Sequence, residues 1–466
     1  MNFQELQMKA THSAVTLSII ALCAFIPRAY AASQTLNQAL ATAYQNNPAL
    51  AAARAKLRAT DEQVAQAMGG WRPTISATAD DGTSHQSMSG NGYASVSKGL
   101  NPRDVSLNIT QPLFSGFKTT SGIKAAEYSV QAERAALKDT EQQVFLATAK
   151  AYLGVVQAHD ILTLDSSAET ILQNKLAEVK DRLRIHDLSK TDVDQAQSRL
   201  DAATVARLQA ENDLATQRQA YMRLVGDMPG TLQLPAPDYA IPKNQLDAVS
   251  LALHNNPAVV AARYGEDAAS ENITTAEGNL LPSVDLVGNA AHNVDQGPAS
   301  PTLQNSATVE VRLTIPFYSA GTNYSKTRAA EDIEQQRRMD FADACAKAST
   351  DAATAWQSYM TAVTAEKEDE SLVASETSAY HGVVLQAKYG TRTTLDVLNA
   401  EQEMLNANID LAKAKHDEIF AMLQLKSAVG SLTATALNLP VKKYDPTKYY
   451  DKVRDQWIGF SNTQEQ

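Results

Sequence analysis

Two short segments of the chain combine acidic, hydroxyl, aromatic and basic side chains. The first contains Thr191 and Asp192, and the second contains Tyr389, Arg392 and Asp396. An arginine and a carboxylate can form charge-assisted hydrogen bonds worth roughly 1–3 kcal/mol, enough to bias a two-state contact and weak enough for a partner to break. A carboxylate that follows a turn can instead cap a helix. Both interpretations fit these segments.

The sequence contains no comparable group of residues that is typical of an enzyme active site. The sequence contains no HExxH, GxSxG, Walker or Rossmann motif. Its 8 histidines are scattered without the spacing of metal ligands. Single histidines such as His159 and His416 lie in long helical tracts and are predicted to be solvated. The sequence therefore predicts no enzyme, no metal site and no cofactor.

Each of the two segments interrupts a very long helical tract. No proline occurs in residues 113–228 or 317–439, and both stretches are rich in Ala, Gln, Glu, Lys and Leu. The helical pattern breaks once in each stretch, near residues 186–190 and 390–394, beside the two segments described above. The predicted helical hairpins cover residues 117–226 and 320–429. A first arm of about 70 residues spans on the order of 100 Å.

The return arms of both hairpins carry an apolar stripe with 3-4 spacing. Large residues alternate with small ones, which is typical of a coiled-coil seam between closely packed helices. Arg207 interrupts the stripe of the first hairpin and Glu418 that of the second. An ordinary helical bundle explains the stripe equally well.

Four segments alternate apolar and polar residues, as strands with one apolar face do. The predicted strands lie near residues 71–85, 103–115, 281–292 and 306–318. The segments between the strands of each pair are rich in Gly, Ser and Asn and are predicted to be exposed loops. A soluble sandwich is the alternative, but four strands are too few to build one for 466 residues.

Four strands are also too few to close a transmembrane barrel in one chain. The smallest single-chain barrels have about eight strands, and open sheet edges are not tolerated in lipid. Three chains with four strands each would supply twelve. Aromatic residues at the strand ends are typical of a membrane-interface girdle. These residues are Trp71, Phe114, Phe117, Phe317 and Tyr318.

The strands and hairpins occur twice along the chain. The sequence LATAYQNNPALAAAR, residues 40–54, recurs about 209 positions later as LALHNNPAVVAAR, and from Pro112 onward the offset is about 204. The duplication predicts two structural repeats, residues 32–245 and 246–430, each with a helix, two strands and a helical hairpin. Residues 431–466 lie outside the repeat and are interpreted as an equatorial segment beside the helices.

The N-terminal residues 1–31 have the pattern of a secretory signal peptide, with an apolar run before Ala29-Tyr30-Ala31. A membrane anchor is the alternative, but about 13 apolar residues are too few to span a bilayer. Cleavage leaves Cys345 as the only cysteine, so no intrachain disulfide is predicted. The net charge of −11 disfavours nucleic-acid binding.

The signal peptide, the duplicated halves and the segment GTRTTLDVLNAEQ together resemble the TolC family of outer-membrane efflux and secretion channels. The resemblance extends over about residues 35–440. It implies a homotrimer with a twelve-stranded barrel in outer-membrane lipid and a helical tunnel across the periplasm. It further implies partners, namely a periplasmic adaptor protein and an inner-membrane pump that is either an ABC or a proton-driven transporter.

The resemblance also implies roles for the residues at the hairpin tips. Thr191, Asp192, Tyr389 and Arg392 correspond to gate residues whose links hold the tip helices closed. Asp396 corresponds to an acidic ring at the tunnel entrance, where three carboxylates would attract cations and raise one another's pKa.

The chain departs from the family pattern at three tip positions. Asn399 stands where the family often has a second acidic residue, His186 where the first tip commonly has glycine, and Tyr389 lies a couple of positions from the family's gate tyrosine. The function predicted from the sequence is a passive outer-membrane exit duct gated at its periplasmic tip. The alternative is a periplasmic coiled-coil scaffold or adhesin without a pore.

Overall fold

The structure is a computed structural model that describes residues 34–90, 93–236, 240–295 and 303–459. The predicted signal peptide, residues 1–31, lies outside the described residues. The helices are α1 Leu36–Asn46, α2 Pro48–Met68, α3 Lys118–Arg184, α4 Lys190–Val225, α5 Gln245–Asn255, α6 Pro257–Glu277, α7 Thr322–Lys388, α8 Thr394–Ala428 and α9 Lys448–Val453. The strands are β1 Thr74–Asp81, β2 Ser84–Gly90, β3 Tyr93–Leu100, β4 Arg103–Phe114, β5 Ser283–Val294 and β6 Leu303–Thr314.

Two long helical hairpins dominate the molecule. The first arms α3 and α7 have 67 residues each, and the return arms α4 and α8 have 36 and 35. Each first arm packs along its own return arm. At 1.5 Å per residue a 67-residue helix is about 100 Å long. Within the described residues, no helix combines the length and apolarity needed to cross a membrane.

The repeated Asn-Asn-Pro sequence starts α2 and α6 in the same way. The side chains of Asn47 and Asn256 accept the backbone N–H two residues further on, and proline is the first residue of each helix. The same two amides donate to the last turns of the return arms, Asn47 to Leu224 O at 3.3 Å and Asn256 to Ala428 O at 3.0 Å. Each motif therefore ties the start of a helix to the base of a hairpin.

A four-stranded antiparallel sheet has the order β1-β4-β5-β6. Its register places Ile75 opposite Ile109 and Gly288 opposite Val309, so most apolar residues of the four strands share one face, with Val287 of β5 as an exception. That face is exposed in one copy of the chain, with Val309 and Val311 at 78% and 65% exposure. The outer edges of β1 and β6 have no strand partner within the described residues.

The opposite face of this sheet is polar. Thr78 Oγ1 lies 2.7 Å from Ser106 Oγ, and Asn289 Nδ2 donates to Asn108 Oδ1 at 2.7 Å. The hydroxyl and amide side chains thus form hydrogen bonds across three neighbouring strands. The predicted division of each strand into an apolar and a polar face holds across the whole sheet.

The predicted loop between the first two strands is wrong in one respect, because it contains the additional hairpin β2–β3. Ser and Gly dominate these two strands, so no apolar alternation marks them. The dipeptide Asn91-Gly92 is typical of the turns of β-hairpins. It was not used in the prediction, because the surrounding segment is rich in Gly, Ser and Asn and was interpreted as a loop. The first predicted strand, near residues 71–85, is also shorter in the structure, at Thr74–Asp81.

The main apolar core lies where the bases of both hairpins meet the first helix and the C-terminal segment. Phe145, Tyr152 and Tyr221 are fully buried in it. Leu437 and Leu439 of the segment beyond α8 belong to the same cluster, and α9 packs on α2. The C-terminal segment therefore lies along the first half of the chain.

Candidate gate at the hairpin tips

The first tip turns between Arg184, the last residue of α3, and Lys190, the first of α4. Ser189 caps α4, since its Oγ accepts the backbone N–H of Asp192 at 3.3 Å. In return, Asp192 Oδ2 accepts the backbone N–H of Ser189 at 2.9 Å and its hydroxyl at 2.6 Å. These hydrogen bonds from Ser189 hold the pKa of Asp192 below its usual range.

The second tip repeats this arrangement at the start of α8. Thr393 Oγ1 accepts the backbone N–H of Asp396 at 3.2 Å, and Asp396 Oδ2 accepts the backbone N–H and the hydroxyl of Thr393, both at 2.9 Å. The backbone and side-chain hydrogen bonds from Thr393 lower the pKa of Asp396, and the charge of Arg392 lowers it further.

The interpretation of the two aspartates as N-caps is therefore corrected. The caps are Ser189 and Thr393, and Asp192 and Asp396 are the reciprocating third residues of capping boxes. The sequence signal was present, because Ser-x-x-Asp and Thr-x-x-Asp precede both return arms. Capping fixes each carboxylate in place without excluding contacts of its second oxygen.

Arg392 makes only local contacts in one copy of the chain. Its Nε donates to Gln386 Oε1 at 3.2 Å, and its Nη1 lies 4.0 Å from Asp396 Oδ1 in an exposed ion pair. Its Nη2 has no acceptor among the described residues. The guanidinium thus projects from the tip with donors available for a further acceptor.

Tyr389 and Thr191 also face solvent. Tyr389 follows the last turn of α7 and is 77% exposed, and Thr191 is exposed in the first turn of α4. Among the described residues, no hydrogen bond or ion pair joins the predicted gate residues of one tip to those of the other. The five predicted residues therefore form two separate groups in one copy.

A different pair joins the two hairpins near their tips. Arg199 Nη2 on α4 donates to Asn399 Oδ1 on α8 at 2.9 Å. One residue closer to the tip, Leu398 is buried in a cluster with Leu172 and Leu176 of α3. Arg199 was not predicted from the sequence, because its partner lies 200 residues away. Asn399 was recognised only as a departure from the family pattern.

The two tips differ in the residue that makes the turn. His186 has φ 63° and Gly390 has φ 78°, so both adopt the left-handed conformation that glycine accepts most readily. At the first tip, Asp187 Oδ2 accepts Arg182 Nε at 2.7 Å beside this histidine. Within the part of the chain that the structure describes, no cluster of His, Cys, Asp and Glu side chains could hold a metal.

The sequence and fold can be compared with known proteins. The family of outer membrane efflux proteins matches residues 39–227 and again residues 248–431. The outer membrane efflux protein BepC of Brucella suis biovar 1 is 31% identical over 441 residues, which cover 92% of this chain and 92% of BepC. The outer membrane protein TolC of Vibrio cholerae is 27% identical over 399 residues, covering 84% of this chain and 89% of TolC.

The fold is similar to that of solved outer-membrane channels. The crystal structure of the Campylobacter jejuni CmeC outer membrane channel superposes with a TM-score of 0.77 at 15% sequence identity, covering 90% of this chain and 89% of CmeC. The chain has a sheet with an exposed apolar face that continues into two long helical hairpins. Together with the family and relatives above, this architecture is that of an outer-membrane channel protein with a periplasmic part. The chain belongs to the outer membrane efflux protein family.

Family membership confirms several predictions from the sequence. The resemblance to TolC-like channels, the mixed helical and sheet architecture and the outer-membrane location are confirmed. The family consists of channel proteins rather than enzymes. The alternative of a scaffold or adhesin without a pore has no support among these relatives.

Proposed function

We propose that three copies of this chain form one passive channel that serves as the exit duct of an efflux or type I secretion system. The observation that carries the proposal is the four-stranded sheet, whose apolar face is exposed and whose edges β1 and β6 have no strand partner among the described residues. Unpaired backbone groups are costly in lipid. Pairing β6 of one copy with β1 of the next closes a barrel of twelve strands, with the apolar face toward outer-membrane lipid and the polar face toward the lumen.

The helices continue this wall below the membrane. In one copy, α2 packs on α3, α3 on α6, and α6 on α7, which gives a layer with α2 and α7 at its edges. Three such layers joined edge to edge form a tunnel, and the two hairpins of each copy form its far end. Transport is diffusion through this lumen, with energy supplied by a partner.

The tip residues supply the gate in this assembly. Arg392 has unused donors, and Asp192 and Asp396 hold fixed carboxylates near the ends of their helices. In the closed trimer Arg392 binds an acceptor on an adjacent hairpin, at or beside Thr191 and Asp192. Tyr389 packs at the same constriction, and three copies of Asp396 form an acidic ring at the entrance.

Partner proteins open the gate by binding the tips more strongly in their separated arrangement. We assign this role to a periplasmic adaptor that links the duct to an inner-membrane ABC or proton-driven pump. A photoreactive amino acid in place of Lys190 tests the assignment. The expected product, identified by mass spectrometry, joins the channel to an adaptor or pump, whereas crosslinks confined to the channel itself would contradict it.

The channel itself is tested by the assembly and conductance of the full chain. Outer-membrane extracts should contain a heat-labile trimer, and the purified trimer should conduct ions in planar lipid bilayers. The variant Val311→Pro removes a backbone donor from the edge strand β6 and should prevent barrel closure. A monomeric wild-type protein without conductance would contradict the proposal, and a periplasmic oligomer without conductance would favour a scaffold.

A further inference from the structure

A cavity of about 710 Å³ lies near the middle of one copy, away from both the sheet and the tips. The first turns of α2 and α6 form two of its sides and residues 131–141 of α3 form its floor. Residues 430–446 of the C-terminal segment cover it. Since α3 lies between α2 and α6, one copy of the chain builds the cavity without help from a neighbour.

The cavity is strongly basic although the whole chain carries a net charge of −11. Arg54, Arg134, Lys138 and Lys443 line it, and Glu141 is the one carboxylate among the described residues that line it. Glu141 Oε1 is already occupied, because it accepts the backbone N–H of Ala434 at 2.6 Å. Among the described residues, none of the four cations has a carboxylate within ion-pair distance.

Two of these cations are held in place by aromatic rings. The Arg54 guanidinium lies 4.6 Å from the ring centroid of Tyr44 and 5.4 Å from that of Tyr444, and its Nη2 donates to Tyr44 O at 3.0 Å. The Arg134 guanidinium lies 5.2 Å from the ring of Tyr450. Both groups are therefore oriented before any ligand arrives, which lowers the entropy cost of binding.

Arg134 is also incompletely satisfied. Its Nε is buried and has no hydrogen-bond acceptor among the described residues. The buried carboxyl of Asp61 lies near enough for the charge of Arg134 to offset part of the rise in the pKa of Asp61 caused by burial, but it makes no hydrogen bond to Arg134. A buried charged donor without an acceptor is unfavourable unless a ligand supplies one.

We propose that this cavity binds the phosphate group of a small phosphorylated molecule. Two arginines with planar donor forks and two lysines are the side chains that phosphate recognition uses in proteins. The volume lies in the range of small-molecule sites and exceeds the needs of a single ion. A bound phosphate would tie the C-terminal segment to α3 through Arg134, Lys138 and Lys443. The inference does not depend on trimer formation or on the gate.

Calorimetric titration of the purified full chain at low salt tests this site. The probes are inorganic phosphate, glucose 6-phosphate and uncharged glucose. We expect both phosphates to bind and glucose not to bind. Tighter binding of glucose 6-phosphate would assign the site to phosphorylated organic molecules, and equal affinity would assign it to free phosphate.

Arg134→Gln should weaken phosphate binding by about tenfold or more, because it removes a fixed charged donor. Arg218→Gln, which removes the same charge from an exposed position of α4, should leave the affinity unchanged. Lys138→Gln replaces an exposed side chain and provides the same test if Arg134→Gln does not fold. Absence of binding at about 10 mM phosphate, or equal affinity in Arg134→Gln and wild type, would overturn the proposal.

Discussion

The two helical hairpins have almost the same length, but one copy of the chain buries them very differently. Buried residues occur along nearly the whole of α3, from Ser121 to Val179, whereas α7 buries only Glu334, Ala348 and Ala352 among its 67 described residues. The cause is position, because α3 packs on α2, α4, α6 and α8 while α7 packs on α5, α6 and α8. The exposed length of α7 is the surface that a neighbouring copy covers in the proposed trimer.

The seams inside the two hairpins differ in chemistry as well. In the first hairpin, Leu214 is buried in the main core and Leu162 packs against it. The residues about 204 positions later are Glu418 and Glu366, and these two half-buried carboxyl groups share a hydrogen bond across the second seam. Burial, with the hydrogen bond and charge of Glu366, raises the pKa of Glu418 to about 7.

The apolar stripe of the first hairpin is interrupted by a base instead of an acid, namely Arg207. Arg207 Nε donates to Glu169 Oε2 at 2.6 Å, and its Nη1 donates to Glu211 Oε1 at 2.5 Å. In the first seam Arg207 is therefore paired with carboxylates, while the second seam holds two acids without a paired base among the described residues. The comparison indicates that the packing of the second seam depends on the protonation of Glu418.

The largest effect that we expect concerns the apolar seam. Leu214→Ala should reduce the free energy of unfolding by about 2–5 kcal/mol, since it leaves a cavity in a well-packed core. Thermal unfolding monitored by circular dichroism in detergent measures the change. Val205→Ala on the same helix, where the valine is 61% exposed, should change stability by less than about 0.5 kcal/mol. Equal losses in the two variants would show that the first seam is not a support.

A smaller effect should distinguish the second seam by its pH dependence. Because the folded state raises the pKa of Glu418 from 4.5 to about 7, it binds a proton that the unfolded chain has already released. This stabilisation is fully present below about pH 4.5 and is lost as the pH rises to about 7. We expect a loss of about 1 kcal/mol, since solvent screens a half-buried pair.

Glu418→Gln keeps the shape of the side chain but removes its titration. Melting temperatures of wild type and variant, measured between pH 4.5 and 8, should converge at the acid end and diverge at the alkaline end, with the variant more stable. Glu403→Gln, the same change at an exposed position of α8, is the matched control and should follow the wild type. Parallel curves for wild type and Glu418→Gln would refute the difference between the seams.

The smallest effect concerns the two turns. His186→Gly should stabilise the first tip by about 0.5 kcal/mol, because the left-handed conformation suits glycine better than histidine. Hydrogen exchange of the backbone amides in the last turn of α3 measures this change locally. Slower exchange is expected, and faster exchange would show that the histidine side chain contributes a stabilising contact of its own.

The sequence predicted those parts of the fold that depend on local patterns. Long stretches without proline marked α3 and α7, and period-2 alternation marked β4 and β6, because helix and strand periodicity is a local property. It did not predict β2 and β3, whose Ser- and Gly-rich strands lack an apolar face. The capping boxes at Ser189 and Thr393 are visible in the sequence, but the N-caps were placed three residues too late, at Asp192 and Asp396.

The contacts that the sequence did not predict join distant residues. Arg199 and Asn399 meet because α4 and α8 converge near the tips, and the basic cavity brings together residues from α2, α3, α6 and the C-terminal segment. No local pattern specifies such pairs, since tertiary packing alone brings them together. For the same reason the gate residues Thr191, Asp192, Tyr389, Arg392 and Asp396 remain a prediction until neighbouring copies are in place.

The resting conductance of single trimers in planar bilayers tests the proposed gate most directly. Arg392→Ser removes the guanidinium that we assign to the closing contact, and Arg184→Ser removes the same charge from the exposed end of α3 at the other tip. We predict that Arg392→Ser raises the resting conductance while Arg184→Ser leaves it at the wild-type value. An Arg392→Ser trimer that inserts normally and conducts no more than wild type would contradict the gate.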